Sequence, residues 1–177
     1  MRLLKEAGLY AAEVGSDAAC DVTLAALNKG FTSADVIEFN RICVEEEIPC
    51  AHFIMFGGPD ESAATLEEGL DNLEKLENCV VFAFSGIRIL PGTGLHALAV
   101  REGMVTAAES LLKPVYYFSP KIDPATMNES IESAFHGRRD RIFPPSEGQI
   151  RMAAMNRFGY RGLMWDKLIS FTRAAAG

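Results

Sequence analysis

The sequence predicts an α/β fold of parallel βα units, followed by an irregular, partly helical C-terminal tail. Three observations predict it. Helix-like apolar stripes alternate with short apolar runs over about the first hundred residues. Two of those runs, CAHFIMF (50–56) and CVVFAFSGIRI (79–89), are apolar on both faces, as in strands covered by helices. Beyond residue 104 the pattern is broken by Pro114, Pro120, Pro124, Pro144 and Pro145.

Each element has its own signal. MRLLKEAG reads as the end of a helix stopped by Gly8, and LYAAEVG (9–15) reads as a strand. A short helix follows at 22–28, closed by Gly30. Thr32 opens the next helix, with Asp35 as its capping-box partner. Val36, Ile37, Cys43 and Val44 form its buried stripe, and Glu38, Arg41 and Glu45 its polar face. Pro49 turns the chain into CAHFIMF. Residues 62–77 form a helix with Leu66, Leu70, Leu73 and Leu76 inward, and 79–89 form the third strand. A short helix occupies 95–103. Strands alternating with helices imply right-handed parallel crossovers.

Residues 1–105 therefore read as one unit and 106–177 as an extension, helical at 127–135 and 147–160, that wraps the outside of the sheet. Three strands leave two open edges. Three βα units are also fewer than half of the eight in a closed barrel of about 250 residues. The chain is a small open sheet or part of a larger barrel.

Composition narrows the function. The 177 residues are 49% hydrophobic and 23% charged, as in globular proteins. A net charge of −7 argues against a nucleic-acid footprint. The one basic cluster, HGRRDR (136–141), reads as a solvated loop. No apolar run is long enough for a membrane span, and MRLLKEAGLY is too short and charged for a signal peptide. Cys20, Cys43, Cys50 and Cys79 form no Cys-x-x-Cys pair and lie in or beside apolar segments. They read as reduced, buried thiols of a cytoplasmic protein, with no metal site built from them.

Ligands of parallel α/β folds bind at the C-terminal ends of strands. The three ends read here are Gly15-Ser16-Asp17, Gly57-Gly58-Pro59-Asp60-Glu61, and Arg88 with Pro91-Gly92-Thr93-Gly94. In FIMFGGPDES the glycines suggest a phosphate cradle. Asp60 and Glu61 argue against it, because they already satisfy the helix dipole and would repel an anion. The stretch is either a plain turn capped by Glu61 and Ser62, or an acid-rimmed floor for a ligand carrying positive charge. The glycines would let another backbone or a flat ligand approach. Glu13 and Arg88 are charges inside strands, costly unless paired. Arg88 either pairs with Glu13 or points toward substrate. A hydrolase reading is poor: there is no Gly-x-Ser-x-Gly, and His52, His96 and His136 have no obvious nucleophile partner. His52 reads as a core histidine and His96 as exposed.

GSDAACDVTLAALNKGFT (15–32), IMFGGPDES (54–62) and IRILPGTGL (87–95), in that order and spacing, resemble the fourth, fifth and sixth strands of radical S-adenosylmethionine enzymes. The resemblance covers roughly residues 1–105. RIFPPSEGQIRMAAMNRFGYRGLMWDKL, in the tail, resembles the C-terminal region of a subgroup that also carries a cobalamin-binding domain.

The resemblance implies a half TIM-type barrel whose cofactor is S-adenosylmethionine. It implies that Asp17 contacts the ribose or methionyl end, and that Lys29 faces the methionyl carboxylate. A helix-end cation is the other reading of Lys29. It implies that Met55 packs on adenine above Gly57 and Gly58, and that the backbone of Ile89 and Leu90 borders it. Glu13 and Arg88 become candidate substrate contacts. Asp17 stands where Glu or Gln is commoner, and Ala18 where Ser is common, so the reach is shorter. The family's Cys-x-x-x-Cys-x-x-Cys loop is absent from this sequence. A 4Fe–4S cluster is therefore expected only with an N-terminal half of the barrel, from the same gene or a partner chain. The chain alone is expected to be inactive and to contain no catalytic residue. The expected substrate is a small organic or lipid-like molecule. The alternative is a non-catalytic α/β docking or S-adenosylmethionine-binding module. Self-association through open sheet edges is expected.

Overall fold

The computed structural model describes residues 1–169. Helix α1 (Arg2–Glu6) ends ahead of Gly8, whose φ is +103°. It leads into β1 (Ala12–Asp17), α2 (Asp21–Ala26) and α3 (Ser33–Glu45). The predicted capping box is present: Thr32 Oγ1 accepts the Asp35 amide, and the Asp35 carboxylate accepts the Thr32 amide at 2.8 Å. Strand β2 (Cys50–Phe56) coincides with CAHFIMF. Helix α4 (Ala63–Glu74) is capped by Ser62, with Thr65 completing its box.

The predicted strand at 79–89 is two strands. β3 (Val80–Ser85) stops at Gly86, and β4 (Ile87–Arg88) leaves the sheet to pair antiparallel with β5 (Tyr116–Tyr117). Gly86 has φ +78°, which ends an extended strand, and apolar alternation carries no record of φ. Helix α5 (Gly94–Arg101) lies between β4 and β5. The remaining elements are α6 (Pro124–Phe135), β6 (Arg141–Ile142), α7 (Ser146–Arg157) and α8 (Trp165–Leu168). No helix among the described residues is long and apolar enough to cross a membrane.

The main sheet has the order β1-β2-β3-β6 and is parallel throughout. The parallel α/β class is the one the sequence predicts. The tail, however, does more than wrap the sheet. Its β6 pairs with β3 (Val81 with Arg141, Phe82 with Ile142), so the β3 edge is not open. The HGRRDR stretch is solvated at His136, Gly137 and Arg139, but its last residue is not. The Arg141 side chain has 0% exposure. Its guanidinium donates to the carbonyls of Leu73 (3.0 Å), Leu76 (2.8 Å) and Cys79 (3.3 Å) and pairs with Asp140 at 2.8 Å. The last carbonyls of a helix have no intrahelical donor, and a guanidinium carries five N–H groups. Arg141 thereby ties the end of α4 to the sheet. Its partners lie 65 and 68 residues away, which is why the sequence reads as a loop.

One sheet face presents Cys50, Ile54, Phe56, Val81 and Ala83 to α3, α4 and α6, which pack against it through Cys43, Leu66, Leu73, Met127 and Ile131. The other face presents Ala51, Phe53, Val80, Phe82 and Phe84, partly covered from α7 and α8 by Met152, Met155 and Trp165. Toward β1 that second face is open, with Glu13 and Gly15 exposed.

Candidate functional site

The carboxyl end of β1 is irregular. Val14 stands opposite His52, but Asp17, three residues on, stands opposite Ile54, so β1 carries one extra residue. Asp17 has φ +61°, a conformation Asp tolerates better than most residues. The irregularity buries Ser16 and leaves the Asp17 side chain 21% exposed. Its carboxylate forms an ion pair with the Lys29 ammonium, which lies past the end of α2. Two residues singled out separately in the sequence are one acid–base pair in the structure.

At the end of β2, Gly57 has φ +87°. A Cβ there would lie 2.9 Å from the Phe118 ring, and a Cβ at Gly86 only 2.6 Å from it. The Gly57 carbonyl accepts the Ser119 amide at 2.9 Å. The flat group that approaches these glycines on this side is thus the chain's own Phe118. Gly58 marks where the strand ends meet: a Cβ there would lie 3.3 Å from Ile87 Cδ1 and 3.9 Å from Leu27 Cδ1.

The two acids form no free rim. Glu61 is 3% exposed, and its carboxylate accepts the amides of Gly57 and, at 3.1 Å, Gly58. Burial pushes its pKa up to about 7, against the pull of those two N–H groups. Asp60 is exposed and pairs with Lys121 at 2.6 Å. The N–H groups that would cradle a phosphate are occupied by Glu61.

The other predicted residues lie on the same strands with differing access. Met55 is half-buried on the second sheet face, opposite Phe84 in the ladder. Ile89 is buried with Ala99 and Tyr117, and its amide donates to the Val115 carbonyl at 2.9 Å. Leu90 is 48% exposed, and its carbonyl accepts the Thr93 hydroxyl at 2.8 Å. Glu13 and Arg88 are both exposed, and among the described residues no ion pair joins them.

His52 does have a nucleophile-type neighbour, contrary to the sequence reading. The Ser16 hydroxyl donates to His52 Nδ1 at 2.8 Å. His52 Nε2 lies 3.2 Å from Asn40 Oδ1, an acceptor, so the ring proton sits on Nε2. Asn40 in turn donates to the Glu77 carbonyl at 2.9 Å. Ser16 and His52 are 0% exposed and Asn40 2%, so no substrate reaches this chain of bonds. Burial, with the Arg141 charge, lowers the His52 pKa to about 4 and keeps the ring neutral. It is a satisfied core histidine. Ser16 and His52 are 36 residues apart, and no sequence signal joins them.

The four cysteines are free and buried, and burial pushes the Cys79 thiol up to about 11. Among the described residues no three His, Cys, Asp or Glu side chains converge to hold a metal.

Fold and site define a parallel α/β sheet with the Asp17–Lys29 pair at the carboxyl end of its first strand. No family model matches the chain, and no curated protein matches it. Solved structures share its fold, among them two with ligands bound. Both are of the radical S-adenosylmethionine methyltransferase TsrM from Kitasatospora setae. One, with cobalamin and a 4Fe–4S cluster bound, has a TM-score of 0.74 at 20% identity over 94% of this chain. The other, with tryptophan substrate and an aza analogue of S-adenosylmethionine bound, has a TM-score of 0.70 at 18% identity over 94% of this chain. The chain spans 39% and 41% of the length of those two structures. At such identities the likeness shows the fold.

Proposed function

We propose that the chain is the C-terminal part of a radical S-adenosylmethionine barrel and supplies one side of the cofactor site. The Asp17–Lys29 pair carries this reading. The methionyl end of S-adenosylmethionine is a zwitterion. Its ammonium needs an acceptor and its carboxylate a donor. A half-buried carboxylate beside a half-buried ammonium offers both, at the strand end where α/β folds bind ligands. The donor set fits the group. Met55 would meet the adenine, with Gly57 and Gly58 below it. Leu90, half-exposed, would border it by packing, whereas Ile89 is fully buried with its amide already bonded and only supports Leu90 from below. When bound, the cofactor supplies a sulfonium whose C–S bonds can be broken. The residues of this chain hold and orient it.

The described residues do not fit a 4Fe–4S cluster, because the thiols are packed in the core and no ligand set converges. No step through a cluster is assigned to them. The cluster would be held by an N-terminal half of the barrel, and cobalamin by a separate domain. The reduced thiols agree with a cytoplasmic location. A second reading, an α/β module that docks without catalysis, is favoured by the β1 edge, which has no strand partner among the described residues.

Isothermal titration of S-adenosylmethionine into the purified chain tests the proposal. Saturable heat supports a preorganised side of the site. Its absence rules out a site that this chain can hold by itself and favours the docking module.

A further inference from the structure

Helix α7 lies over the second sheet face without closing onto it. Between them is an open-sided cavity, a groove of about 480 Å³. Its floor is Phe53, Phe82 and Phe84. Phe53 and Phe82 are stacked, with centroids 5.1 Å apart and planes within 7°. Phe84 tilts 31° from Phe53, with centroids 6.2 Å apart. The wall is α7, which presents Gln149, Met152 and Asn156 at helical spacing. Gly148 allows the close approach, since a Cβ there would lie 2.9 Å from the Phe82 ring. Phe53, Phe84 and Met152 are half-buried and show apolar surface to the cavity. The side-chain amides of Gln149 and Asn156 are exposed and make no hydrogen bond among the described residues.

We propose that this cavity is a substrate subsite for a flat aromatic group carrying an amide or similar hydrogen-bonding function. The edges of the stacked Phe53 and Phe82 rings and the tilted Phe84 ring on one side, and a thioether on the other, favour an aromatic guest in edge-to-face contact beyond the apolar area it buries. Two unpartnered amides give it a direction, and the volume is that of a small-molecule site. The inference rests on the cofactor reading: Phe84 is the ladder partner of Met55, two residues before Gly57, so the cavity opens on the cofactor's side of the sheet.

The test uses benzamide as the flat probe and cyclohexanecarboxamide as its puckered control. The chain contains one tryptophan, Trp165, whose ring meets Phe82 edge-on at 6.4 Å, so its emission reports on the floor. Benzamide should change that emission saturably and more strongly than the control. Phe84→Leu should weaken benzamide binding by about three- to tenfold. Ala153→Trp, at an exposed wall position, should abolish binding, read by saturation-transfer NMR because it adds a second tryptophan. Equal binding of the two probes, or binding that survives both substitutions, overturns the proposal. So does an emission change that follows chain concentration rather than probe concentration, which would assign the face to a second copy. S-adenosylmethionine is titrated into the same sample. If it binds and benzamide does not, the subsite falls and the cofactor reading stands. If benzamide binds and S-adenosylmethionine does not, the cavity is no substrate subsite and the cofactor reading falls.

Discussion

The Glu61 carboxylate accepts the Gly58 amide at 3.1 Å and the Gly57 amide beside it, at 3% exposure. The chain supplies its own anion to a turn shaped to hold one, and buries it there. Because the charge is internal, its cost appears in stability rather than in ligand binding.

The pH dependence follows from two buried groups of opposite sign. Glu61 titrates near 7 in the folded chain against an ordinary 4.5, so its contribution to stability falls as pH rises from 4.5 to about 7. His52 titrates near 4 against an ordinary 6.5, so its contribution rises with pH over about 4 to 6.5. Each effect spans on the order of 3 kcal/mol. The Asp35 and Asp123 carboxylates, held low by backbone N–H bonds, act only below their ordinary 3.8. The wild-type urea midpoint should therefore change little between pH 4.5 and 6.5. Glu61→Gln keeps an oxygen for both glycine amides and removes one of the opposed terms, so its midpoint should climb with pH. A flat profile in that variant would count against the lowered His52 titration, and a flat wild-type profile beside it would count against the raised Glu61 titration as well.

Arg141 supplies the donors for the end of α4. Arg141→Met strands the Leu76 carbonyl, leaves Leu73 with the Leu76 amide alone and Asp140 with Arg138 alone, and should cost about 1–3 kcal/mol. Arg151→Met, which removes a partly exposed pair with Glu147, should cost less than about 1 kcal/mol. Urea titration of the two variants checks the contrast. Equal losses would contradict the role given to Arg141.

Asp17→Asn keeps a side chain that tolerates φ +61° and removes the charge facing Lys29. Stability should move by less than about 1 kcal/mol, as for other partly exposed pairs. Affinity for S-adenosylmethionine should fall about tenfold or more, since a charge-assisted bond to its ammonium is lost. Unchanged affinity in the titration removes Asp17 from the site.

Gly86→Ala and Gly92→Ala separate backbone strain from crowding. Both glycines have positive φ, +78° and +77°. A Cβ at Gly92 meets nothing within 4 Å, whereas at Gly86 it meets the Phe118 ring at 2.6 Å. Gly92→Ala should cost about 1–2 kcal/mol from conformation alone. Gly86→Ala should cost about 1–3 kcal/mol more, from overpacking. Thermal melts showing equal losses would mean that the Phe118 ring moves aside freely.

The sequence by itself determined the parallel α/β class, the bounds of β2, the Thr32–Asp35 box and the Ser62 cap. Those signals depend on period and on groups within one turn of each other, so they are written locally. The strand ends of the sequence pointed to Asp17 as a candidate ligand group, and the family resemblance to Lys29. Only the tertiary structure decided what each group touches. One extra residue in β1 buries Ser16 against His52 and turns Asp17 toward Lys29. A left-handed glycine divides an apolar run into strands of two sheets. An arginine in an apparently solvated loop closes a helix that ends more than sixty residues earlier. Each depends on register, on φ at one position, or on a contact between distant segments. A side chain's partner is set by where the backbone carries it, and apolar periodicity records only which face it lies on.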